Sequence, residues 1–277
     1  MKNYKAIFAI MMLLSVITFN TASAQNEIKE QLVVPLTDAT KPGSLSVGLI
    51  HGSIKVVGYA GKEVVIDAET NAPTSNRKEK VDESAAGMKR INQRAGLEIS
   101  AEEKNNRVDV SAQTARQSVN LIIKVPQNFS LKVSTVNNGE ISIENVSGEL
   151  EINNVNGAII MNNVSGSAVA NTVNGLIKAN FKTVTNAPMA FTTLNGNVDV
   201  TFPASAKFNV KLKSDRGEVY SDFDIDVDKT APKTNKTTQN GMYKVNIEDW
   251  IQGKVNGGGS EIMMKNMHGN IYVRRAK

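Results

Sequence analysis

The chain has 277 residues, a formal net charge of +5 at pH 7 and no cysteine. Without cysteine there can be no disulfide framework, no thiol chemistry and no lipid attachment through a cysteine. The basic excess is spread without a dominant block or interleaved aromatic residues, so nucleic-acid binding is not expected.

Residues 1–24 have the pattern of a cleaved secretory signal. Two lysines precede the apolar run 6–18, and Ala22 and Ala24 supply the small residues that signal peptidase requires. The run is too short for a bilayer, which takes about 20 apolar residues, and no later stretch approaches that length, so we expect no transmembrane segment. The prediction is an exported protein, periplasmic or at the cell surface, whose mature chain starts at Gln25.

A nine-residue repeat occupies the middle of the chain. The residues two and four places after each repeat glycine are apolar, and the positions between them are mostly polar. Such alternation is the period of a β-strand with one buried face. The repeat glycines are Gly139, Gly148, Gly157, Gly166 and Gly175.

Each repeat ends in a corner formed by a valine, an asparagine or serine, and the next glycine. A glycine there permits positive φ, and the polar residue before it can bond to the turn backbone. Because "VNG" and "VSG" corners alternate, two repeat units should make one full coil. Similar corners at Gly52, Gly196, Gly257 and Gly269 extend the pattern, and the interval from Gly196 to Gly217 is slightly longer than two units. The predicted fold is all-β, a β-solenoid (β-helix-like) of stacked two-faced coils with about 18–21 residues per coil.

Two segments interrupt the repeat pattern. Residues 71–95 are charged and poor in β-branched residues, and we interpret them as an excursion with a short helix near residues 79–90. Residues 229–241 have loop composition and are predicted to form a mobile hairpin tip. Repeats flank both segments, so residues 25–277 are expected to form one domain.

Three stretches of the chain resemble a known bacterial family. They are "GSLSVGLIHGSIKVVGYAGKEVVIDAE" (43–69), "VNLIIKVPQNFSLKVSTVNNGEISIENVSG" (119–148) and "MHGNIYVRR" (267–275). In this order they are similar to the bacterial putative-adhesin family, whose domains of unknown function are predicted to form β-solenoids. The resemblance implies a secreted or envelope-associated repeat domain, and it supplies no catalytic residues to carry over.

The two histidines are the first candidates for catalysis or metal binding. His51 and His268 occupy the corner place that Asn156 and Asn174 hold elsewhere. We therefore interpret both as polar corner residues, and predict no metal or cofactor site around them.

Outward carboxylates are the second candidates. Glu140 and Glu144 should point outward from one face, and Glu149 and Glu151 from the other. Such residues usually keep a strand soluble, but paired acids are also what polysaccharide hydrolases and lyases need. A carbohydrate-active enzyme on a β-helix fold therefore stays as the alternative function.

The run "SDFDIDVDK" places Asp222, Asp224, Asp226 and Asp228 on one side of a strand. With further oxygens from a neighbouring loop this row could hold calcium, which takes six to eight oxygen ligands. A charged edge strand that resists aggregation is the favoured interpretation.

Asparagines recur beside the corners. Rows of identical amides can hydrogen-bond from coil to coil, so a structural role is favoured over glycan binding. The two predicted rows are Asn145, Asn154 and Asn163, and Asn153, Asn162 and Asn171.

An apolar patch is the candidate binding site. Ile160 and Leu176 should point outward on one face in successive coils, with Lys178 as a basic edge. The competing interpretation is that the excursion 71–95 covers them. The sequence thus favours a non-enzymatic adhesion, binding or structural module, without cofactor, whose partner is an unknown protein, glycan or envelope component.

Overall fold

The computed structural model describes residues 27–71, 97–114, 118–137, 139–229, 233–239, 242–248 and 250–277. The predicted signal peptide and the predicted helix at 79–90 lie outside these residues. Every regular element that the structure describes is a β-strand, 22 in all. The prediction of an all-β fold is therefore confirmed.

Two faces of hydrogen-bonded strands build the molecule, and β11 contributes to both. The front face contains, in spatial order, β5 (Leu97–Lys104), β6 (Arg107–Thr114), β2 (Gly43–His51), β8 (Phe129–Asn137), β10 (Ser147–Asn154), the second half of β11 (Ile159–Asn174), β13 (Met189–Asn195), β21 (Glu261–His268), β15 (Phe208–Arg216), β20 (Ile251–Val255) and β17 (Ile225–Val227).

The back face is also a continuous row of hydrogen-bonded strands, named here in spatial order. It contains β1 (Glu27–Pro35), β4 (Glu63–Asn71), β7 (Val119–Pro126), β3 (Ile54–Tyr59), β9 (Ile141–Glu144), the first half of β11, β12 (Ile177–Val184), β14 (Val198–Phe202), β22 (Ile271–Arg275) and β16 (Val219–Ser221). A separate antiparallel hairpin pairs β18 (Lys233–Gln239) with β19 (Met242–Glu248), so residues 233–239 of the segment predicted as a hairpin tip form a strand.

One hydrophobic core lies between the two faces. The apolar residues of the alternating pattern point into it, and Ile54, Ile141 and Ile159 are fully buried. The faces touch through aromatic rings, with Phe181 of β12 and Phe191 of β13 6.1 Å apart between centroids. This is the packing expected of strands with one apolar side.

Successive coils pair in parallel in the middle of the molecule. Ile141 pairs with Ile159 and Ile159 with Ile177, each partner lying two repeat units further along the chain. Ile177 pairs in turn with Val198, across a slightly longer interval. The result is a β-solenoid-like stack.

The stack does not follow chain order at its ends. The last coil of the chain, β21 and β22, lies between the coil of β13 and β14 and the coil of β15 and β16. At the other end, β2 lies between β6 and β8, and β3 lies between β7 and β9. The nine-residue pattern contains no sign of this interleaving.

Candidate functional site

The most regular surface of the molecule is the corner where each front strand turns into the back face. We call it the NG corner; its stacked glycines are Gly52, Gly139, Gly157, Gly175, Gly196, Gly269 and Gly217. The other corner, at Gly148 and Gly166, is called the SG corner. The glycines recur at the same spacing at both corners. The valine two residues before the glycine faces solvent at the NG corner, as Val173 does, and is buried at the SG corner, as Val146 and Val164 are.

A row of polar side chains points into the core at the NG corner. Each donates a hydrogen bond to the carbonyl oxygen of a glycine in the neighbouring coil, at 2.9–3.0 Å. Since buried carbonyls need a partner, these bonds satisfy backbone that the corner would otherwise leave unpaired. The donors are Thr135 to Gly52, Asn154 to Gly139, Thr172 to Gly157, Thr193 to Gly175, Asn266 to Gly196 and Ser214 to Gly269.

Close approach explains the glycines of the repeat. A Cβ on Gly157 would overlap the carbonyl oxygen of Gly139, and a Cβ on Gly175 would overlap that of Gly157. Positive φ occurs at Gly52, Gly166, Gly196 and Gly269 among others, but not at Gly157. The expectation that Gly157 is required for its backbone conformation is therefore wrong, because the neighbouring coil, rather than the turn, excludes a side chain there.

An amide ladder follows the outside of the NG corner. Asn156 donates to Asn137, Asn174 to Asn156 and Asn195 to Asn174, at 3.2, 2.9 and 2.7 Å. The two histidines occupy the next places of the same row, because His51 is the strand neighbour of Asn137 and His268 that of Asn195, and His268 Nε2 lies 3.1 Å from an Arg216 nitrogen. Both histidines are thus corner residues, as the sequence indicates.

An apolar ridge lies next to this ladder. Ile50 is 68% exposed, Leu194 is 43% exposed, and Val136 and Val173 are exposed to a similar degree. Val155 and Met267 fill the remaining places of the row and are half-buried. We call these six residues the corner ridge. It crosses six consecutive coils.

The SG corner has the opposite arrangement. Its valines, Val146 and Val164, are buried, whereas Val173 of the NG corner faces solvent. Asn145 and Asn163 have positive φ there, and the Asn163 amide donates to Asn145. The predicted row of Asn145, Asn154 and Asn163 is therefore corrected, because Asn154 belongs to the NG corner and points inward. In the second predicted row, Asn171 donates to Asn153 on the front face, whereas Asn162 pairs with Glu144 on the back face and does not belong to the row.

The predicted patch adjoins the corner ridge. Leu176 follows directly after the NG corner of its coil and is 43% exposed. Ile160 is half-buried on the back face, where it pairs with the exposed Lys178. Lys178 in turn pairs with Asp199. Leu176 and Lys178 thus belong to one coil, Ile160 to the coil before it, and Leu176 is the member of the three that lies next to the NG corner.

A shallow trough of about 510 Å³ lies on the front face. Serines line much of it, and its charged residues include Arg107, Lys132, Glu149 and Glu151. Lys132 and Glu151 form an ion pair at 3.0 Å, and Glu144 on the back face pairs with Lys55 at 2.9 Å. These carboxylates of adjoining coils are therefore tied to cations across the strands.

The aspartate run does not form the single strand that the sequence predicts: Asp222 and Asp224 lie between β16 and β17, and β17 ends the front face. Asp226 lies on β17, which pairs with β20, and its cross-strand neighbour is Lys254. Phe223 is buried, and Asp222 and Asp224 are exposed. Within the described part of the chain, no three histidine, cysteine, aspartate or glutamate side chains are grouped as a metal site would need.

Two cation-rich spots lie near the same end. Lys211 and Lys213 lie over the ring of Trp250, with Nζ 4.9 and 6.0 Å from its centroid. Arg274 donates two hydrogen bonds to Asp199, and this contact raises the pKa of Arg274 above its ordinary value. Both groups join strands that are far apart in sequence.

In the described ranges, no helix is long and apolar enough to cross a membrane.

Comparison with known proteins gives a family and a set of distant structures. The family model Toastrack DUF4097 matches residues 135–273, just over half of the chain. A comparison with curated proteins gives no match. The family match confirms the resemblance to bacterial putative-adhesin domains.

The similar solved structures are remote. A "putative cell adhesion protein" from Clostridium sporogenes is 12% identical with a TM-score of 0.43, covering 90% of this chain and all of its own. A "putative adhesin" from Bacteroides fragilis is 10% identical with a TM-score of 0.41, covering 90% and 97%. A "putative lipid binding protein" from Parabacteroides distasonis is 9% identical with a TM-score of 0.27, covering 91% and 97%.

Proposed function

The chain belongs to the Toastrack DUF4097 family, and we propose that it is an exported, non-enzymatic binding module of the cell envelope. Its partner is a protein that lies along the corner ridge and the adjoining patch of Ile160, Leu176 and Lys178. The proposal includes a signal peptide at residues 1–24 and a single domain at 25–277. It also includes two-faced coils of about 18–21 residues, the size usual for a repeat that stacks on its neighbours.

The corner ridge is the observation that supports this function. Isolated exposed aliphatic residues are ordinary on protein surfaces, whereas contiguous apolar surface marks interaction sites. Here one aliphatic residue or methionine from each of six consecutive coils occupies the same row, and Leu176 widens it. Alternation turns the NG valines outward, because the residue before each of them, such as Thr172, points inward, but it does not require an aliphatic side chain in the outward place.

A protein partner suits the ridge better than a membrane or a glycan. The ridge is one residue wide, and the amide ladder on its flank offers donors and acceptors for a polypeptide. A membrane surface would be expected to select a belt of basic residues, but Lys178 is the cation of the proposed patch. The patch has no aromatic ring on which a sugar could stack, since it consists of aliphatic side chains and one lysine.

The carboxylates of the front and back faces are assigned to stability rather than catalysis. Glu144 and Glu151 form cross-strand ion pairs with lysines, which is the usual arrangement on the wet side of a sheet. A carbohydrate-active enzyme is the alternative that the sequence leaves open, and these two ion pairs do not favour it.

A matched pair of substitutions on β11 tests the binding surface. Val173 lies on the corner ridge and Val169 lies in the trough, and the two are 38% and 40% exposed. We expect Val173→Asp to weaken binding of the purified protein to envelope fragments of the bacterium that encodes it, and Val169→Asp to leave binding unchanged. The double variant Ile160→Glu, Leu176→Glu should weaken binding in the same way, with an unchanged thermal midpoint.

Two further measurements identify the partner class. Protease treatment of the envelope fragments should abolish co-sedimentation if the partner is a protein. Binding to phosphatidylglycerol vesicles would indicate a lipid surface instead. Equal binding by wild type, Val173→Asp and the double variant would show that neither ridge nor patch is the interface.

A further inference from the structure

The last coil of the chain, residues 261–277, is held in the interior of the stack. β21 pairs in parallel with β13 on one side and with β15 on the other. β22 pairs in the same way with β14 and β16. This coil is thus enclosed by coils on both sides. We call residues 261–277 the inserted coil.

The inserted coil contacts its neighbours through buried apolar side chains, hydrogen bonds and an ion pair. Ile262, Met264, Ile271 and Val273 are buried. Asn266 donates to the carbonyl oxygen of Gly196 at 3.0 Å, and Arg274 donates to Asp199 at 2.7 and 3.1 Å. The four partner strands all lie several coil lengths earlier in the chain. The inserted coil is therefore fixed by its fit to a slot rather than by local chain connection.

A glycine segment joins the inserted coil to the rest of the protein. Asn256, Gly257 and Gly258 have φ values of 51°, 89° and 86°, and Gly259 and Ser260 lead into β21. A Cβ on Gly257 would meet no atom within 4 Å, so the surroundings place little constraint on this position, whereas its neighbours are held by hydrogen bonds from Asn256 to Ala204 and Ala206 and from Ser260 to Asn186, which exchange would have to break or remake. Glycine adopts extended and left-handed backbone with similar ease, which is what a hinge between two chain directions requires.

We propose that the inserted coil is a donor element that a second copy of this chain can accept, giving dimers in which each copy completes the stack of the other. Strand donation into a slot between strands is a known mode of protein association, and exchange of identical elements between copies is a low-cost route to a symmetric dimer. The monomer and the exchanged dimer contain the same strand pairs, the same buried residues and the same Asp199–Arg274 contact. They differ only at residues 256–260. The balance between them is therefore set by protein concentration and by the hinge.

A disulfide trap tests the exchange with the full-length chain. The protein has no cysteine, so introduced cysteines are unique. Thr192 of β13 and Lys265 of β21 are cross-strand neighbours on the front face, and such neighbours lie about 4.8 Å apart, within reach of a disulfide. Thr192→Cys and Lys265→Cys are made in separate, differently tagged chains, mixed in denaturant, refolded together at high concentration and then oxidised.

The control pair shares one of the two variants. Asn171 of β11 neighbours Thr192 on its other side, and both strands belong to the acceptor. Thr192→Cys mixed with Asn171→Cys should give no disulfide between chains, while Thr192→Cys mixed with Lys265→Cys should give a covalent heterodimer. A single chain carrying both Thr192→Cys and Lys265→Cys reports whether this geometry supports a disulfide at all.

The outcomes separate exchange from chance encounter. A heterodimer with the Lys265 variant and none with the Asn171 variant supports the donor role. An intrachain disulfide in the double variant without any heterodimer in the mixture overturns it. Heterodimers in both mixtures also overturn it, because they would mean collision of exposed cysteines or exchange of a larger part of the chain. If the double variant forms no disulfide, the outward neighbours Asp199 and Tyr272 replace the pair, with Lys178 and Asp199 as the control.

Discussion

The middle of the stack and its distal end are built from the same strands and corners but are connected in different ways. Ile159 pairs with Ile141 and Ile177, which lie one coil length away on either side. Ile271 occupies the equivalent place in β22, but its partners Val198 and Val219 both lie several coil lengths earlier in the chain. The strand contacts look alike in the folded protein, whereas the lengths of chain that must close to form them are very different.

Because of this difference, the two regions should contribute similarly to stability but form at different times during folding. Burial and hydrogen bonding depend on the final environment, so equivalent places should contribute similarly to the free energy of unfolding. The entropic cost of closing a loop rises with the length of the loop, and contacts between residues that are far apart in the sequence form more slowly. We therefore expect the middle of the stack to form first and the inserted coil to join last.

The largest expected effect comes from truncating one isoleucine in each region. Ile159 and Ile271 are equally buried, so Ile159→Ala and Ile271→Ala should each lower the free energy of unfolding by about 2–5 kcal/mol. Ile159→Ala should act mainly by slowing folding, and Ile271→Ala mainly by speeding unfolding. Stopped-flow folding and unfolding rates across denaturant concentrations measure both. A folding rate lowered as much by Ile271→Ala as by Ile159→Ala would contradict the proposed order.

A smaller effect is expected from adding one methyl group in the middle. The new Cβ of Gly157→Ala would overlap the carbonyl oxygen of Gly139, so adjoining coils must shift, at a cost of about 1–3 kcal/mol. Gly257 in the hinge has no neighbour to displace, and Gly257→Ala is the control, with only the strain of its positive φ, about 1–2 kcal/mol. Urea denaturation midpoints compare the two. If Gly157→Ala unfolds at the wild-type midpoint, the stacked corners are not in close contact.

The smallest expected effect concerns the inward polar row, which both regions share. Asn154 and Asn266 donate to glycine carbonyls, but each leaves its own buried Oδ1 without a hydrogen-bond partner. Threonine makes the same donation to a glycine carbonyl at position 172 and has no second polar atom to satisfy, although at position 154 it would give up the longer contact of the amide with the carbonyl oxygen of Ala158, at 3.3 Å. We expect Asn154→Thr to raise the unfolding free energy by about 1 kcal/mol and Thr172→Val to lower it by about 1–2 kcal/mol. Thermal unfolding followed by circular dichroism would measure both, and destabilisation by Asn154→Thr would show that the amide makes contacts which threonine cannot replace.

Alternation in the sequence is sufficient to predict the strands of the glycine repeat and the buried side of each. Ile54, Ile143 and Val200 are buried as their positions after a glycine indicate. His51 and His268 are corner residues because they replace asparagine in a repeated place. The period of two determines these features locally, so they can be predicted without knowledge of the partner strand.

Features that depend on the neighbouring coil cannot be predicted in this way. Thr172 and Asn154 are polar, which favours an outward position, but a glycine carbonyl in the next coil gives each an inward partner. The corner pattern assigns Gly157 to a turn conformation, whereas the close approach of Gly139 is what requires it.

The alternation of "VNG" and "VSG" is the available signal that the two corners differ, and it does not say which valine faces solvent. The interleaved coils have no signal, because the pattern within a strand does not encode its neighbour. The binding role of Ile160, Leu176 and Lys178 stays a prediction.

The two unlike corners also limit how such a chain can change its length during evolution. If a single nine-residue unit were duplicated, every later SG valine would move to the exposed column of Val173, and the inward donors such as Thr172 would move to the place where Asn145 and Asn163 have positive φ, which strains a β-branched residue. The later NG valines would move to the column where Val146 and Val164 fill the core. Every residue after the insertion would then be half a coil out of phase. Insertions and deletions in the repeat should therefore survive only as pairs of units, so relatives should differ by whole coils.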